Sequence, residues 1–352
     1  MSTFRGRRAA SISNDRLRVT VLEEGGHIAE ITDIASGLNP LWTPHWPSIE
    51  PSQYDRARDP VYGGGPDGSL LAGIMGHNLC LDVFGGPSVE EEAAGMPAHG
   101  EVSVARFTIN ANGSSLEMEA VLPSAQLKIS RTMTLDDRVL RIRERVENLT
   151  ASDRPVGWTQ HVTMGPPFLE SGVTAFRVSA DRSLAFPGTF GPADYLRPGG
   201  EFHWPHAPRQ DGGTADMRVY SAAASSSAYT AHRMNVDRSG AFFAAFSPRV
   251  GLAFGYAWRR ADFPWLGIWE ENHARQNAPW SGQALTCGME FGVSPIPESR
   301  RAMIERGRLF DTPTFRWIPA RTTVEVEYCA TLRPADAIPD NLECEDSFND
   351  ED

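Results

Sequence analysis

The sequence predicts an all-β fold of the two-sheet kind, on three observations. Apolar and polar residues alternate with period two in segment after segment. Turn-forming clusters interrupt those segments at short intervals, and no long segment carries an apolar stripe at helical spacing. Strict alternation marks a strand with one packed and one wet face, and many such strands with turn punctuation mean a sandwich or a barrel.

The first such element is "RLRVTVLE", where Leu17, Val19 and Val21 oppose Arg16, Arg18 and Thr20. "SSLEMEAVL" follows, with Leu116, Met118, Ala120 and Leu122 on one face. "LRIRERVE" sets Leu140, Ile142 and Val146 against Arg141, Arg143 and Arg145, and "TTVEVEYCATL" aligns Val324, Val326, Tyr328 and Ala330. "NANGSS", "TLDDR" and "NLTASDRP" supply turns between strands. "PESRRAMIERGRLF" reads as one short helix. The stretch 185–240, rich in Gly, Pro, Ala and Ser, reads as long loops of the kind that cover a binding face. With no internal repeat and no linker, residues 1–339 are expected to form one β-sandwich domain.

Charge and cysteine usage exclude several function classes. Of the formal charge of −12, seven acids lie in "DNLECEDSFNDED" (340–352), which has no base and reads as a solvated, disordered tail. Removing those seven leaves −5, a mildly acidic body without the electrostatic footprint of nucleic-acid binding. The opening residues lack an apolar signal core, and no run approaches the roughly 20 apolar residues needed to span a bilayer. No membrane partner is expected, and the cytoplasm is the expected location. Cys80, Cys287, Cys329 and Cys344 form no CxxC pair and read as buried or incidental thiols rather than a disulfide framework. The single lysine, Lys128, sits in an alternating segment and is a poor Schiff-base candidate.

Metal and nucleophile motifs are absent. His203 and His206 in "HWPH" lack a third ligand and a helix to align them; "YGGGPDG" lacks the Lys-Ser/Thr of a phosphate loop; no GxSxG occurs. Three segments remain. "AHGEVSV" places His99 before Gly100 at the mouth of what reads as a strand. "ERVENLTASDRPVGWTQHVTMGPPFLE" ends one strand at Asn148, turns through Pro155, and puts His161 on the next. "TCGMEFGVSPIPES" sets Glu290 in an apolar stretch between Gly288 and Gly292. A carboxylate between Met289 and Phe291 belongs in a β-core only if it faces a polar pocket, and flanking glycines admit a close approach.

In order and character these segments, with the opening "SNDRLRVTVLEEGGHIAEITDIASGLNPLW", resemble the aldose 1-epimerase (galactose mutarotase-like) superfamily over about residues 10–335. The resemblance implies a β-supersandwich, a small-molecule sugar substrate, no cofactor, and a monomer or homodimer. It implies His161 as general acid, Glu290 as general base and His99 as a histidine holding the sugar ring, with Gly100 letting the chain approach the pocket. His77 and Asn78 stand near where the family has an arginine. Trp158 and Trp269, like Trp42 and Trp280, offer apolar faces for a sugar, and Glu270 is a further polar group beside the expected site.

Mutarotation suits these residue types. A carboxylate takes the proton of the anomeric hydroxyl while an imidazole, on the opposite side of the sugar, protonates the ring oxygen. Two alternatives stand beside this reading. A fold does not confer activity, so the chain is alternatively a non-catalytic sugar-binding protein. A lyase or hydrolase on the same scaffold would need paired carboxylates, for which Glu270, Glu271 and Glu290 are available. A phosphosugar epimerase would need arginines at the pocket, with Arg259, Arg260 and Arg275 as candidates.

Overall fold

Antiparallel pairing of the alternating segments builds two large sheets in the computed structural model, which describes residues 2–344. The smaller, eight-stranded sheet runs in the order 175–178, 240–247, 252–259, 323–334, 139–148, 127–136, 115–122, 108–112. Its outer strands keep the predicted pattern: Leu116, Met118, Ala120 and Leu122 are buried while Glu117, Glu119 and Val121 face water. The other sheet has twelve strands. Its centre is the run 77–82, 154–164, 285–292, 265–272, 226–234, in that order.

The central strands of the larger sheet are buried on both faces, so their polar residues, among them Gln160, His161, Glu270 and Glu290, are buried with the apolar ones. One face packs on the smaller sheet through residues such as Leu79, Met289 and Phe291. The other is covered by loops carrying Trp42, Trp46 and Trp280 and by the short helix Gly68–Gly73 with Leu70 and Leu71. Between the sheets lies a buried polar network. Glu144 pairs with Arg131 at 2.6 Å and accepts hydrogen bonds from Trp158 Nε1 (3.0 Å), Gln160 Nε2 (2.7 Å) and the Tyr328 hydroxyl (2.7 Å). His77 joins it through the Tyr256 hydroxyl and Gln160 Oε1, each at 3.0 Å. Such a network is tolerated in a core when its donors meet acceptors.

Some expectations change. The helix in "PESRRAMIERGRLF" is present as Arg300–Arg306, but the segment after His99 is a 3₁₀ turn, Glu101–Ser103, and the strand begins only at Thr108. The stretch 185–240 contains the strand Ser226–Met234 and three short strands besides loops. Cys329 and Cys344 form a disulfide, while Cys80 and Cys287 are free and buried. Packing therefore continues past 339. Leu342 and Cys344 are buried against Phe242, Ala244 and Ala257, because an apolar side chain and a cysteine punctuate the acidic run. The rest of the expected tail, 345–352, lies outside the described residues. No helix among the described residues is long and apolar enough to cross a membrane.

Candidate active site

Strand register decides which side chains meet. His161 pairs directly with Glu290 on one neighbouring strand and with Asn78 on the other, and Gly267 lies opposite Glu290 on the strand beyond. Directly paired residues share a face, so His161, Glu290 and Asn78 project together to the loop-covered side. Trp269, two residues past Gly267, joins them. His161 Nε2 lies 3.0 Å from Glu290 Oε1, and its Nδ1 lies 3.0 Å from Thr163 Oγ1 on the same strand face. Gly288 keeps this corner open: a Cβ there would come within 2.5 Å of Glu290 Oε1 and 3.2 Å of the Trp269 ring.

His99 arrives from a loop. Its ring centre is 5.1 Å from that of His161, and its Nδ1 lies 3.2 Å from Asn78 Nδ2. With the amide donating, His99 presents Nε2–H to the cavity as a hydrogen-bond donor. Enclosure by protein drives its pKa well below the usual imidazole value, with the neighbouring His161 adding to the effect, so His99 is neutral at physiological pH. His99 itself has φ 66°, a left-handed conformation. Gly100 serves the scaffold rather than the pocket. A Cβ there would meet the Leu81 carbonyl oxygen at 2.0 Å, so the missing side chain lets the loop dock on the strand bearing Asn78.

These groups line a cavity of about 140 Å³. Its walls are Trp269, Trp280, Phe190 and Tyr229, with Leu70 and Leu71 from the helix Gly68–Gly73. Trp280 is held by a parallel Trp42 at 5.9 Å and an edge-on Trp46 at 5.1 Å. Asp67 stands at the exposed rim, and Arg275 enters from the loop after the Trp265–Asn272 strand. Among the described residues no group of three His, Cys, Asp or Glu side chains could hold a metal ion.

Three residues expected at the site lie elsewhere. His77 and Trp158 belong to the polar network between the sheets, fully buried and hydrogen-bonded there. Glu270 points to the face opposite Trp269, where it accepts from the hydroxyls of Tyr195 (3.1 Å) and Ser226. Burial raises its pKa. It faces a second, larger cavity of about 320 Å³ lined also by Tyr220 and Cys287. That cavity holds no histidine and its two carboxylates, Glu270 and Asp216, already have partners, so size does not select the site. Asn78 lies beside the cavity as the hydrogen-bond partner of His99. Phe190, Tyr229 and Asp67 were not expected at the cavity from sequence, and of the three arginines offered for a phosphosugar only Arg275 lines it; parity against Trp269 would have placed Tyr229, its cross-strand partner.

The fold is a galactose mutarotase-like β-sandwich. No protein-family profile and no curated protein matches the sequence. Solved structures do. A galactose mutarotase-like protein from Lactobacillus casei is 14% identical with a TM-score of 0.60, covering 93% of this chain and all of its own. One from Clostridium acetobutylicum is 13% identical, TM-score 0.62, over 95% of this chain and 97% of its own. A galactose mutarotase related enzyme from Lactobacillus acidophilus is 10% identical, TM-score 0.59, over 94% and 100%. At these identities the likeness is one of fold.

Proposed function

We propose that the protein is a cofactor-independent carbohydrate epimerase that interconverts sugar anomers, with Glu290 as general base and His161 as general acid. The observation that carries this reading is the direct His161–Glu290 contact, 3.0 Å, at the floor of an aromatic-walled cavity. The two groups are neighbours on adjacent strands rather than on opposite sides of a sugar. Adjacency suits the chemistry, because the anomeric and ring oxygens are bonded to the same carbon, C1.

In the forward step Glu290 takes the proton of the C1 hydroxyl and protonated His161 gives its Nε2 proton to the ring oxygen. The bond from C1 to the ring oxygen breaks and a C1 carbonyl forms. Rotation about the adjoining carbon–carbon bond exposes the other face. On closure His161 recovers a proton from the ring hydroxyl and Glu290 returns one to the anomeric oxygen. The Thr163 hydroxyl accepts from Nδ1–H both before and after Nε2 gives up its proton, so it holds the His161 ring in both states. Neutral His99 donates to a sugar oxygen and positions the ring, while the indole faces pack on its C–H side.

Anomer exchange followed by NMR over a panel of sugars tests this. Glu290→Gln and His161→Asn are each expected to slow exchange by about 10²-fold or more while sugar binding survives. His99→Asn is expected to weaken binding and turnover together. Exchange by Glu290→Gln at the unmodified rate would remove Glu290 as the base. Binding without accelerated exchange by the unmodified protein would establish a sugar-binding module instead.

A further inference from the structure

Arg275 is the one cation among the residues lining the cavity, and its surroundings are unusual. The guanidinium sits within an aromatic enclosure, its central carbon 4.9 Å from the Trp280 ring centre, 5.3 Å from Trp269 and 5.9 Å from Phe190. Its nearest carboxylate oxygen, Glu271 Oε2, lies 3.5 Å from Nε without forming a hydrogen bond, and that oxygen has no other partner among the described residues. The other Glu271 oxygen is occupied by the backbone N–H groups of Ala274 and Arg275 itself. Among the described residues the Arg275 side chain makes no hydrogen bond. By contrast Arg154 and Arg300 both fork onto Asp82 at 2.5–2.9 Å. Burial outweighs the nearby carboxylates and lowers the Arg275 pKa, which marks a charge not fully compensated by the protein.

A half-buried guanidinium, its side chain 23% exposed, with a donor fork unused by the protein is matched by a planar oxyanion, which it binds through two parallel hydrogen bonds. We infer that Arg275 is a specificity residue for an acidic monosaccharide, holding a carboxylate of the sugar in the same cavity where His161 and Glu290 act on C1. The cavity, about 140 Å³, is well below the roughly 300–1,000 Å³ of drug-sized ligand sites and admits a single sugar ring. A carboxylate is favoured over a phosphate because one guanidinium faces two further acids, Glu290 and Asp67, and a dianion would be opposed by both.

The kinetic arm of the test rests on the proposed anomer exchange; the binding arm does not. Glucuronate and galacturonate are compared with glucose, galactose and glucose 6-phosphate, by titration calorimetry and by NMR anomer exchange. A uronate is expected to bind at least about 10-fold more tightly than its neutral counterpart, as loss of a charge-assisted bidentate pair implies. Arg275→Met, which keeps much of the side chain's length, is expected to remove that preference by lowering uronate affinity about 10-fold more than neutral-sugar affinity, and Arg275→Lys to restore part of it. Melting curves establish that both variants fold. Equal affinity for uronate and neutral hexose, or equal loss of both in Arg275→Met, overturns the inference. Preference for glucose 6-phosphate over both uronates overturns the carboxylate assignment. Arg275-dependent uronate binding without exchange upholds the inference and sinks the epimerase reading alone.

Discussion

Replacing Gly100 by alanine probes whether docking of the loop on the sheet is what positions His99. Gly100 has φ 79° and ψ 168°, a region essentially open only to glycine, where an L side chain costs about 1–3 kcal/mol. The added Cβ would lie 2.0 Å from the Leu81 carbonyl oxygen, so loop and strand must part by about 1 Å to reach even 3.0 Å, a separation real Cβ atoms almost never undercut. That movement strains the hydrogen bond from Leu81 N–H to the His99 carbonyl, 3.2 Å, whose loss costs about 1 kcal/mol. Together these give a destabilisation of about 2–4 kcal/mol. Urea unfolding measures it, and anomer exchange supplies the second readout: KM is expected to rise because His99 is displaced from Asn78. A loss under about 1 kcal/mol with unchanged KM would refute this account of the loop.

Two further outcomes are expected. His27 and His232 are fully buried, and burial lowers each pKa to about 3, with the Arg7 charge contributing at His27. In the unfolded chain both titrate near the unperturbed value of about 6.5. As pH falls below that value the unfolded state takes up protons that the folded state refuses. Each histidine therefore removes up to about 1.4 kcal/mol of stability per pH unit between pH 6.5 and about 3. Urea midpoints measured at neutral pH and at about one and two units below it should fall accordingly, and His232→Gln should flatten the slope. A flat profile in the unmodified protein would contradict the burial of these rings. Truncation after Pro339 is expected to cost about 4.5–6 kcal/mol. It removes buried Leu342 and the Cys329–Cys344 bond, whose 15-residue loop is worth about 3 kcal/mol. An unchanged unfolding curve would show that this segment does not pack.

Much of the fold was legible because half-buried strands write their environment into the sequence. In Leu127–Asp136 and Val139–Asn148 each second residue meets the core, and the pattern survives even where Glu144 occupies an inward position. The central strands of the larger sheet were harder. Buried on both faces, Trp265–Asn272 and Leu285–Gly292 show no alternation, and they stand out in the sequence by their out-of-place carboxylates, with Trp269 and the glycines beside Glu290. The Cys329–Cys344 bond was illegible for a different reason. A pairing depends on where the chain returns after Pro334, which the spacing of two cysteines does not encode.

For the site, parity separates what sequence reading found from what it misplaced. Side chains two apart on a strand share a face and adjacent ones do not. His77 and Asn78 therefore never both reach one pocket, nor do Trp269 and Glu270, and Trp158 lies an odd number of residues from His161. In each case one member faces the cavity side and the other enters the inter-sheet network or the second cavity. The same rule accounts for how the protein keeps its ionisable groups apart. Glu144 and Arg131 satisfy one another between the sheets, whereas His161 and Glu290 meet on the opposite face with room for a ligand beside them. Arg275 escapes the rule because it sits on a loop, where no period fixes direction. Its place depends on three aromatic rings that come from separate parts of the chain, Phe190, Trp269 and Trp280. A strand pattern can announce the proposed acid and base, but the residue proposed to select among sugars is set by tertiary packing.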